Sequence, residues 1–218
     1  MNCPNDGLLR SLLGSKANSN KFTAFLTHQG LSLGDDVNVY PDCVYVNWKA
    51  RGLSIVFSPL QDYKPKYSTP WKDLDMSKLS CSAIDLYNAP SDMAQRRAKA
   101  GNRELFASYD LPLLLKGKKE LELKSDTNGR RFIEAFGEPS RKGGENIGIW
   151  LVSASLTALS VTDTAQEWVD LGVKAEIDAR GNMAWERAAD ETWTTVTLFP
   201  KGDLKGEANE GEHDDVVL

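Results

Sequence analysis

The sequence contains little histidine and little cysteine, with two and three residues in a chain of 218. His28 and His213 offer little side-chain chemistry for proton transfer near neutral pH. Cys3, Cys43 and Cys81 are odd in number and widely spaced, without a C-x-x-C pair or a histidine nearby, which argues against a disulfide framework and a zinc site. We therefore expect reduced thiols, with Cys43 and Cys81 on strands, no metal and no cofactor.

Long apolar runs are also missing. No stretch approaches the roughly 18 apolar residues that a membrane-spanning helix needs, and residues 1–15 show no basic segment followed by a continuous apolar one. The sequence has no phosphate-binding P-loop, no H-E-x-x-H pair and no EF-hand loop. We expect a cytoplasmic protein that does not insert into membranes, and the sequence predicts no oligomeric state.

Charge is unevenly distributed along the chain. The total is 26 basic and 31 acidic residues, a net charge of -5, and residues 201–218 contribute six acids against two lysines. We expect this segment to be a disordered acidic tail. Residues 96–142 carry twelve bases and seven acids, which would suit phosphate contacts. The negative overall charge argues against a dedicated nucleic-acid binder, so we expect none.

Three segments of the first half recur in the same order in the second half. Each pair keeps aromatic, apolar or glycine residues at the same spacing, and the displacement changes from pair to pair as loop lengths change. We therefore predict two diverged copies of one supersecondary unit. The pairs are residues 25–30 with 132–137, 48–57 with 168–177, and 84–87 with 196–199.

Each copy is predicted to be a helix followed by an antiparallel meander. In the first copy Ser19 or Asn20 begins a helix that Gly30 ends in a left-handed conformation. In the second copy Asp126 or Thr127 begins the helix, and Gly137 ends it. The predicted strands are 37–40, 44–48, 52–57 and 84–87 in the first copy, and 147–152, 166–171, 173–177 and 193–199 in the second.

The fold class is therefore α+β, with two tandem helix-plus-antiparallel-meander repeats that could share one continuous sheet. We place the first repeat at residues 1–95, a connector at 96–124, the second repeat at 125–200 and the acidic tail at 201–218. The connector contains a hairpin, because Leu111–Leu115 and Leu121–Leu123 flank the turn residues Lys116–Lys119. Gly143 and Gly144 are expected in a turn.

The second copy carries a residue pattern that resembles known proteins. Residues 132–142 have the pattern Phe-x-x-x-Phe-Gly-Glu-Pro-Ser-Arg-Lys, and Trp168-x-x-x-Gly172-Val173 and Trp193-x-x-Val196 follow. The chain resembles a set of uncharacterised fungal proteins and, more distantly, the helix-then-meander units of BLIP-like and BamE-like domains. That resemblance covers the second copy best. It implies a scaffold for protein–protein contact and brings no catalytic residue with it.

One catalytic motif matches literally. Gly30-Leu31-Ser32-Leu33-Gly34 has the G-x-S-x-G form of a serine nucleophile elbow. Its context is inverted, because a helix precedes the serine, and the only histidine after it is His213 in the acidic tail. Asp35 and Asp36 could serve as paired carboxylates, although adjacent residues on a strand point to opposite faces. A small hydrolase using Ser32 or Asp/Glu carboxylates is therefore the alternative function.

The aromatic residues predict a recognition surface. Residues 58–78 form a long loop with three prolines, and a loop of that length is often functional. Trp48 and Trp168 recur in both copies beside a strand and are expected in the core. The expected function is an intracellular module that binds a protein partner and has no catalytic activity. Its expected binding residues are Tyr63, Tyr67, Trp71 and Trp185.

Overall fold

A computed structural model describes residues 6–33, 36–89, 106–110, 112–143, 164–177 and 187–202. The strand expected at 147–152, Trp185 and the acidic residues 203–218 lie outside these ranges. The described helices are α1 (Gly7–Arg10), α2 (Asn20–Gln29) and α3 (Gly129–Phe136). The described strands are β1 (Val37–Val39), β2 (Val44–Trp48), β3 (Leu53–Pro59), β4 (Leu79–Tyr87), β5 (Leu113–Lys116), β6 (Glu120–Leu123), β7 (Arg141–Gly143), β8 (Thr164–Trp168), β9 (Val173–Ile177) and β10 (Trp193–Leu198).

Eight strands form one antiparallel sheet in the order β1-β2-β3-β4-β10-β9-β8-β7. The predicted α+β class, with a large antiparallel sheet and a few helices, is confirmed. Strands β5 and β6 form a separate two-stranded hairpin, in which Lys116 lies opposite Glu120. The turn of this hairpin packs against the end of α3, since Lys119 N–H donates to the carbonyl of Ala135 at 2.9 Å.

The central pair of the sheet, β4 and β10, has a register in which Asp85 lies opposite Thr197. On the outer side of β4, Ser54 of β3 lies opposite Asp85. On the outer side of β10, Lys174 of β9 lies opposite Thr197. A single cross-strand row of polar residues therefore runs through the middle of the sheet.

Helix α2 begins and ends as the sequence predicts. The Ser19 side chain accepts a hydrogen bond from Phe22 N–H, and Gly30 follows the helix with φ +62°. The N-cap of helix α3 lies one residue after Thr127 and two after Asp126, the two predicted caps. Asn128 is its N-cap and accepts from Arg131 N–H, whereas Thr127 uses its hydroxyl to accept from Lys124 N–H at 2.8 Å. The prediction of Asp126 or Thr127 as the cap is therefore wrong.

Two predictions for the second half of the chain, one of a strand and one of a turn, also need correction. The strand expected at 166–171 ends at Trp168, because Val169–Leu171 turn into a 3-10 helix. Gly143 lies on a strand instead of in a turn, because Arg141–Gly143 form β7, which pairs with β8 at one edge of the sheet. The third correction is smaller. Cys43 is buried in the turn before β2 rather than on a strand, while Cys81 is buried on β4.

The same local structure follows Trp48 and Trp168. Each tryptophan precedes one turn of 3-10 helix that ends in a glycine, Gly52 with φ +59° and Gly172 with φ +60°. A Cβ atom at Gly52 would overlap the carbonyl oxygen of Ala107, and one at Gly172 would overlap that of Phe199. Only glycine satisfies both the backbone angle and the close approach.

The core lies on the face of the sheet that α2 and α3 cover. The rings of Phe22 on α2 and Phe57 on β3 meet edge to face, with centroids 5.2 Å apart. On the other half, Phe132 of α3 stacks on Trp168 of β8 at 5.9 Å. Alternate residues of β3 and β9 supply further buried apolar side chains. Among the described residues, no helix has the length and apolarity to cross a bilayer.

Candidate functional site: an aromatic groove beside strand β1

The loop between β3 and β4 is fixed by its own hydrogen bonds. Leu60 N–H donates to the carbonyl of Lys78 at 2.8 Å and closes the base of the loop. The Tyr63 hydroxyl accepts from Asp75 N–H at 3.0 Å, and its half-buried ring packs against the core. Tyr63 therefore holds the loop in place from within.

A four-residue turn at the tip of this loop exposes Tyr67. Thr69 N–H donates to the carbonyl of Lys66 at 3.1 Å and closes the turn. Ser68 within it has φ +57°, a conformation that glycine normally occupies. In this conformation Ser68 N–H reaches the carbonyl of Val39 at 3.2 Å. The turn thereby attaches to β1 and leaves the Tyr67 side chain 69% exposed.

Strand β1 is an edge strand whose outer side faces the loop. Two backbone hydrogen bonds on either side of β1 show which of its residues face β2. Asn47 N–H donates to the Asp36 carbonyl at 2.9 Å, and Tyr40 N–H donates to the Cys43 carbonyl at 2.8 Å. Along an antiparallel strand, the N–H and C=O groups of successive residues point alternately toward the neighbouring strand and away from it. The N–H and C=O groups of Val37 and Val39 therefore point away from β2, as the Ser68 bond to Val39 also shows.

A groove of about 340 Å³ lies between the outer side of β1 and the loop. This volume is at the small end of the range for ligand pockets. Tyr67 and Tyr40, both in its lining, contact each other edge to face with ring centroids 5.6 Å apart, and Trp71 packs on Phe57 at 6.0 Å. The lining consists of residues 36–40 and 67–71.

Two titratable side chains of the lining, Tyr40 and Asp36, are partly shielded from solvent. Burial raises the pKa of the Tyr40 hydroxyl above its ordinary value, and Tyr67 and Cys43 add smaller contributions in the same direction. Asp36, a carboxylate of the lining, is paired with Lys49 at 2.6 Å. Lys66 and Lys72 are exposed next to Tyr67 and Trp71. Among the described residues, neither lysine has a carboxylate within ion-pair distance. The exposed Asp73 follows Lys72, so the rim segment 66–73, with two lysines and one aspartate, has a net charge of +1.

The four residues expected to bind a partner occupy different places. Tyr67 and Trp71 line the groove, Tyr63 lies behind it in the loop, and Trp185 falls outside the described residues. Tyr40 also lines the groove, and sequence reasoning missed it. It follows β1 directly and precedes the Pro41 turn, so its position at a strand end among aromatic neighbours was the available signal.

The described part of the chain gives Ser32 no catalytic partner. Ser32 is exposed after α2, and its carbonyl accepts the indole N–H of Trp48 at 2.8 Å. Within the described residues, no histidine or carboxylate forms a hydrogen bond with the Ser32 hydroxyl, and no cluster of acidic, histidine and cysteine side chains could hold a metal. Gly34 and Asp35 lie outside those residues. A hydrolase using Ser32 stays a prediction.

A second polar cluster lies on the face of the sheet opposite the core. The Thr197 hydroxyl donates to Asp85 Oδ1 at 2.7 Å, and Lys174 pairs with Glu176 at 2.8 Å. Burial raises the pKa of Asp85 to about 6, which the Thr197 hydrogen bond opposes and the charge of Glu176 increases. This cluster contains a carboxylate with a shifted pKa, and none of its residues lines the groove beside β1.

Comparison with known proteins gives no relative on which to base a function. No protein-family model, no curated protein and no solved structure matches the chain. We therefore infer function from the geometry of the groove.

Proposed function

We propose that this protein is an intracellular, non-catalytic module that binds a protein partner in the groove between β1 and residues 66–71. The observation that supports this most directly is the convergence of Tyr40, Tyr67 and Trp71 beside an edge strand. Tyrosine and tryptophan are enriched among the residues that dominate binding energy, because each offers a large rigid surface with a polar end.

The tip of the loop is built in a way that suits recognition. A 69% exposed tyrosine is held on a turn whose Ser68 occupies an unfavourable backbone region. Such a conformation costs of order 1 kcal/mol and persists when the surrounding structure enforces it. Because the turn is fixed to β1 before a partner arrives, less conformational entropy is lost on binding.

The proposal extends to the architecture that carries the groove. We propose that the halves of the sheet are diverged copies of one helix-plus-meander unit, which share the sheet through β4 and β10. When residues 84–87 are matched with residues 196–199, Asp85 corresponds to Thr197. These same two residues lie opposite one another in the sheet, which supports the proposal. The turn of 3-10 helix and the glycine that follow both Trp48 and Trp168 support it as well. In this proposal residues 201–218 form an acidic tail outside both copies.

Affinity capture with matched variants tests the binding function. The bait is the full chain, compared with Tyr67→Ala and with Leu60→Ala, an exposed apolar residue of the same loop that does not line the groove. We expect a partner that Tyr67→Ala loses by tenfold or more and Leu60→Ala retains. Equal recovery by all three baits, or loss with Leu60→Ala alone, would contradict the assignment of the groove. Circular dichroism confirms that each bait is folded.

A further inference from the structure

We infer that the groove receives an extended, acidic segment of the partner, which adds as a strand to the outer side of β1. This inference rests on the proposed function and specifies the chemistry of the partner. Three features of the groove carry it: the direction of the β1 backbone groups, the aromatic walls and the charge of the rim.

The backbone of β1 offers hydrogen bonds to an added strand. The N–H and C=O groups of Val37 point outward, and among the described residues they have no hydrogen-bond partner. The Ser68 N–H already donates to the carbonyl of Val39. An added strand can therefore pair with Val37 but cannot use the Val39 carbonyl. Unpaired edge groups of this kind are the template that strand-adding peptides use.

The dimensions of the groove favour an extended segment over a helix. A single turn of helix with its side chains, about 10–12 Å wide and 5.4 Å long, takes up roughly 400–600 Å³, which is more than the groove of about 340 Å³. An extended chain places alternate side chains on opposite sides. One set of side chains would then contact Tyr40 and Tyr67, and its backbone would pair with Val37.

Charge complementarity favours an acidic segment. Lys49 neutralises Asp36, a carboxylate of the lining, at 2.6 Å. On the rim, Lys66 and Lys72 are exposed beside one exposed carboxylate, Asp73, which leaves an excess of one positive charge. Carboxylates of the partner that lie near these lysines would gain electrostatic attraction and faster association. Basic segments would meet the same two charges unfavourably.

The test uses random linear peptides displayed on phage and selected on the full chain. We expect the enriched peptides to combine Asp or Glu with β-branched or aromatic residues. Synthetic copies are then methylated at one backbone nitrogen at a time. Strand addition predicts that methylation weakens binding about tenfold at the one position whose N–H donates to the Val37 carbonyl, and much less at the positions on either side of it.

Two variants of one residue examine the protein side of this pairing. Val37→Pro removes an N–H that points outward and leaves the bonds of β1 to β2 in place, and proline is tolerated at such edge positions. Val37→Ala removes the same side chain but keeps the N–H. We expect Val37→Pro to bind the selected peptide about tenfold more weakly than Val37→Ala. Lys66→Ala with Lys72→Ala should weaken binding and reduce its dependence on salt.

The outcomes separate this inference from the proposed function. Peptides that need Tyr67 but are indifferent to methylation and to Val37→Pro would overturn strand addition and leave the groove as the binding site. Enriched peptides that are neutral or basic would overturn the acidic assignment. If neither peptides nor protein capture depend on Tyr67, the inference and the proposed function both fail.

Discussion

Asp85 and Thr197 lie opposite one another on the two central strands, and the threonine hydroxyl donates a hydrogen bond of 2.7 Å to the aspartate. The row that contains them continues outward to Ser54 and Lys174. A carboxyl group in this half-buried position is only partly solvated. Its ionisation is therefore unfavourable, and the stability of the sheet should depend on pH.

The first prediction concerns Asp85→Asn. Burial raises the pKa of Asp85 from 3.8 to about 6, so the native state binds this proton more tightly than the unfolded chain does. The resulting stabilisation is complete below pH 3.8 and is lost as the pH rises through about 6. We expect Asp85→Asn to be more stable than the wild type at pH 7.5 by about 1–3 kcal/mol, with this advantage absent at pH 4.

Urea unfolding at the two pH values measures this difference. Asp62→Asn, which changes an exposed carboxylate of the loop, serves as the control and should show a much smaller change between pH 4 and pH 7.5. A lower stability of Asp85→Asn at pH 7.5 would show that the ionised carboxylate stabilises the sheet.

The second prediction compares three glycines with similar positive φ angles. A Cβ atom at Gly30 would meet no other atom within 4 Å, whereas one at Gly52 or Gly172 would overlap a backbone carbonyl. Gly30→Ala should cost about 1 kcal/mol from the backbone angle alone. Gly52→Ala and Gly172→Ala should each cost more than about 2 kcal/mol. Thermal unfolding of the three variants gives the ranking, and equal losses would mean that the close approaches are absent.

The third prediction compares the two recurring tryptophans. Trp168 is 3% exposed and donates its indole N–H to the Gly137 carbonyl at 2.7 Å, while Trp48 is half-buried and donates to Ser32. Trp168→Phe leaves the half-buried carbonyl of Gly137 without its donor and reduces packing against α3, so we expect a loss of about 2 kcal/mol. Trp48→Phe should cost about half as much. Chemical denaturation tests the order, and a larger loss for Trp48→Phe would contradict it.

Local sequence signals predict much of the fold. The strand at Val173–Ile177 has the bounds that the sequence predicts. The loop ends at Lys78 as predicted, but β4 begins at Leu79, five residues before the predicted strand at 84–87. Alternating apolar residues fix such strands, because one face must be buried. The ends of α2 are predicted equally well. The Ser19 side chain can accept a hydrogen bond from the first turn, and Gly30 can adopt the left-handed conformation that ends a helix.

Features that depend on tertiary contacts could not be read from the sequence. Strand β7 has the sequence Arg-Lys-Gly, which shows no apolar alternation, and it is a strand because β8 offers it backbone partners. Asn128 caps α3 although two adjacent residues have similar capping propensity. Tyr40 joins Tyr67 only because the loop folds back onto β1. Sequence reasoning identified the loop, and the structure supplied the strand edge beside it.

Hydrogen–deuterium exchange with and without the captured partner tests the groove most directly. Backbone amides exchange more slowly when binding gives them a hydrogen bond or makes them inaccessible to solvent. We expect the partner to slow exchange in residues 36–40 and 66–72, with a smaller effect in the β5–β6 hairpin. Slower exchange confined to β5–β6 or to the central strands β4 and β10, with residues 36–40 and 66–72 unchanged, would contradict the proposed binding site.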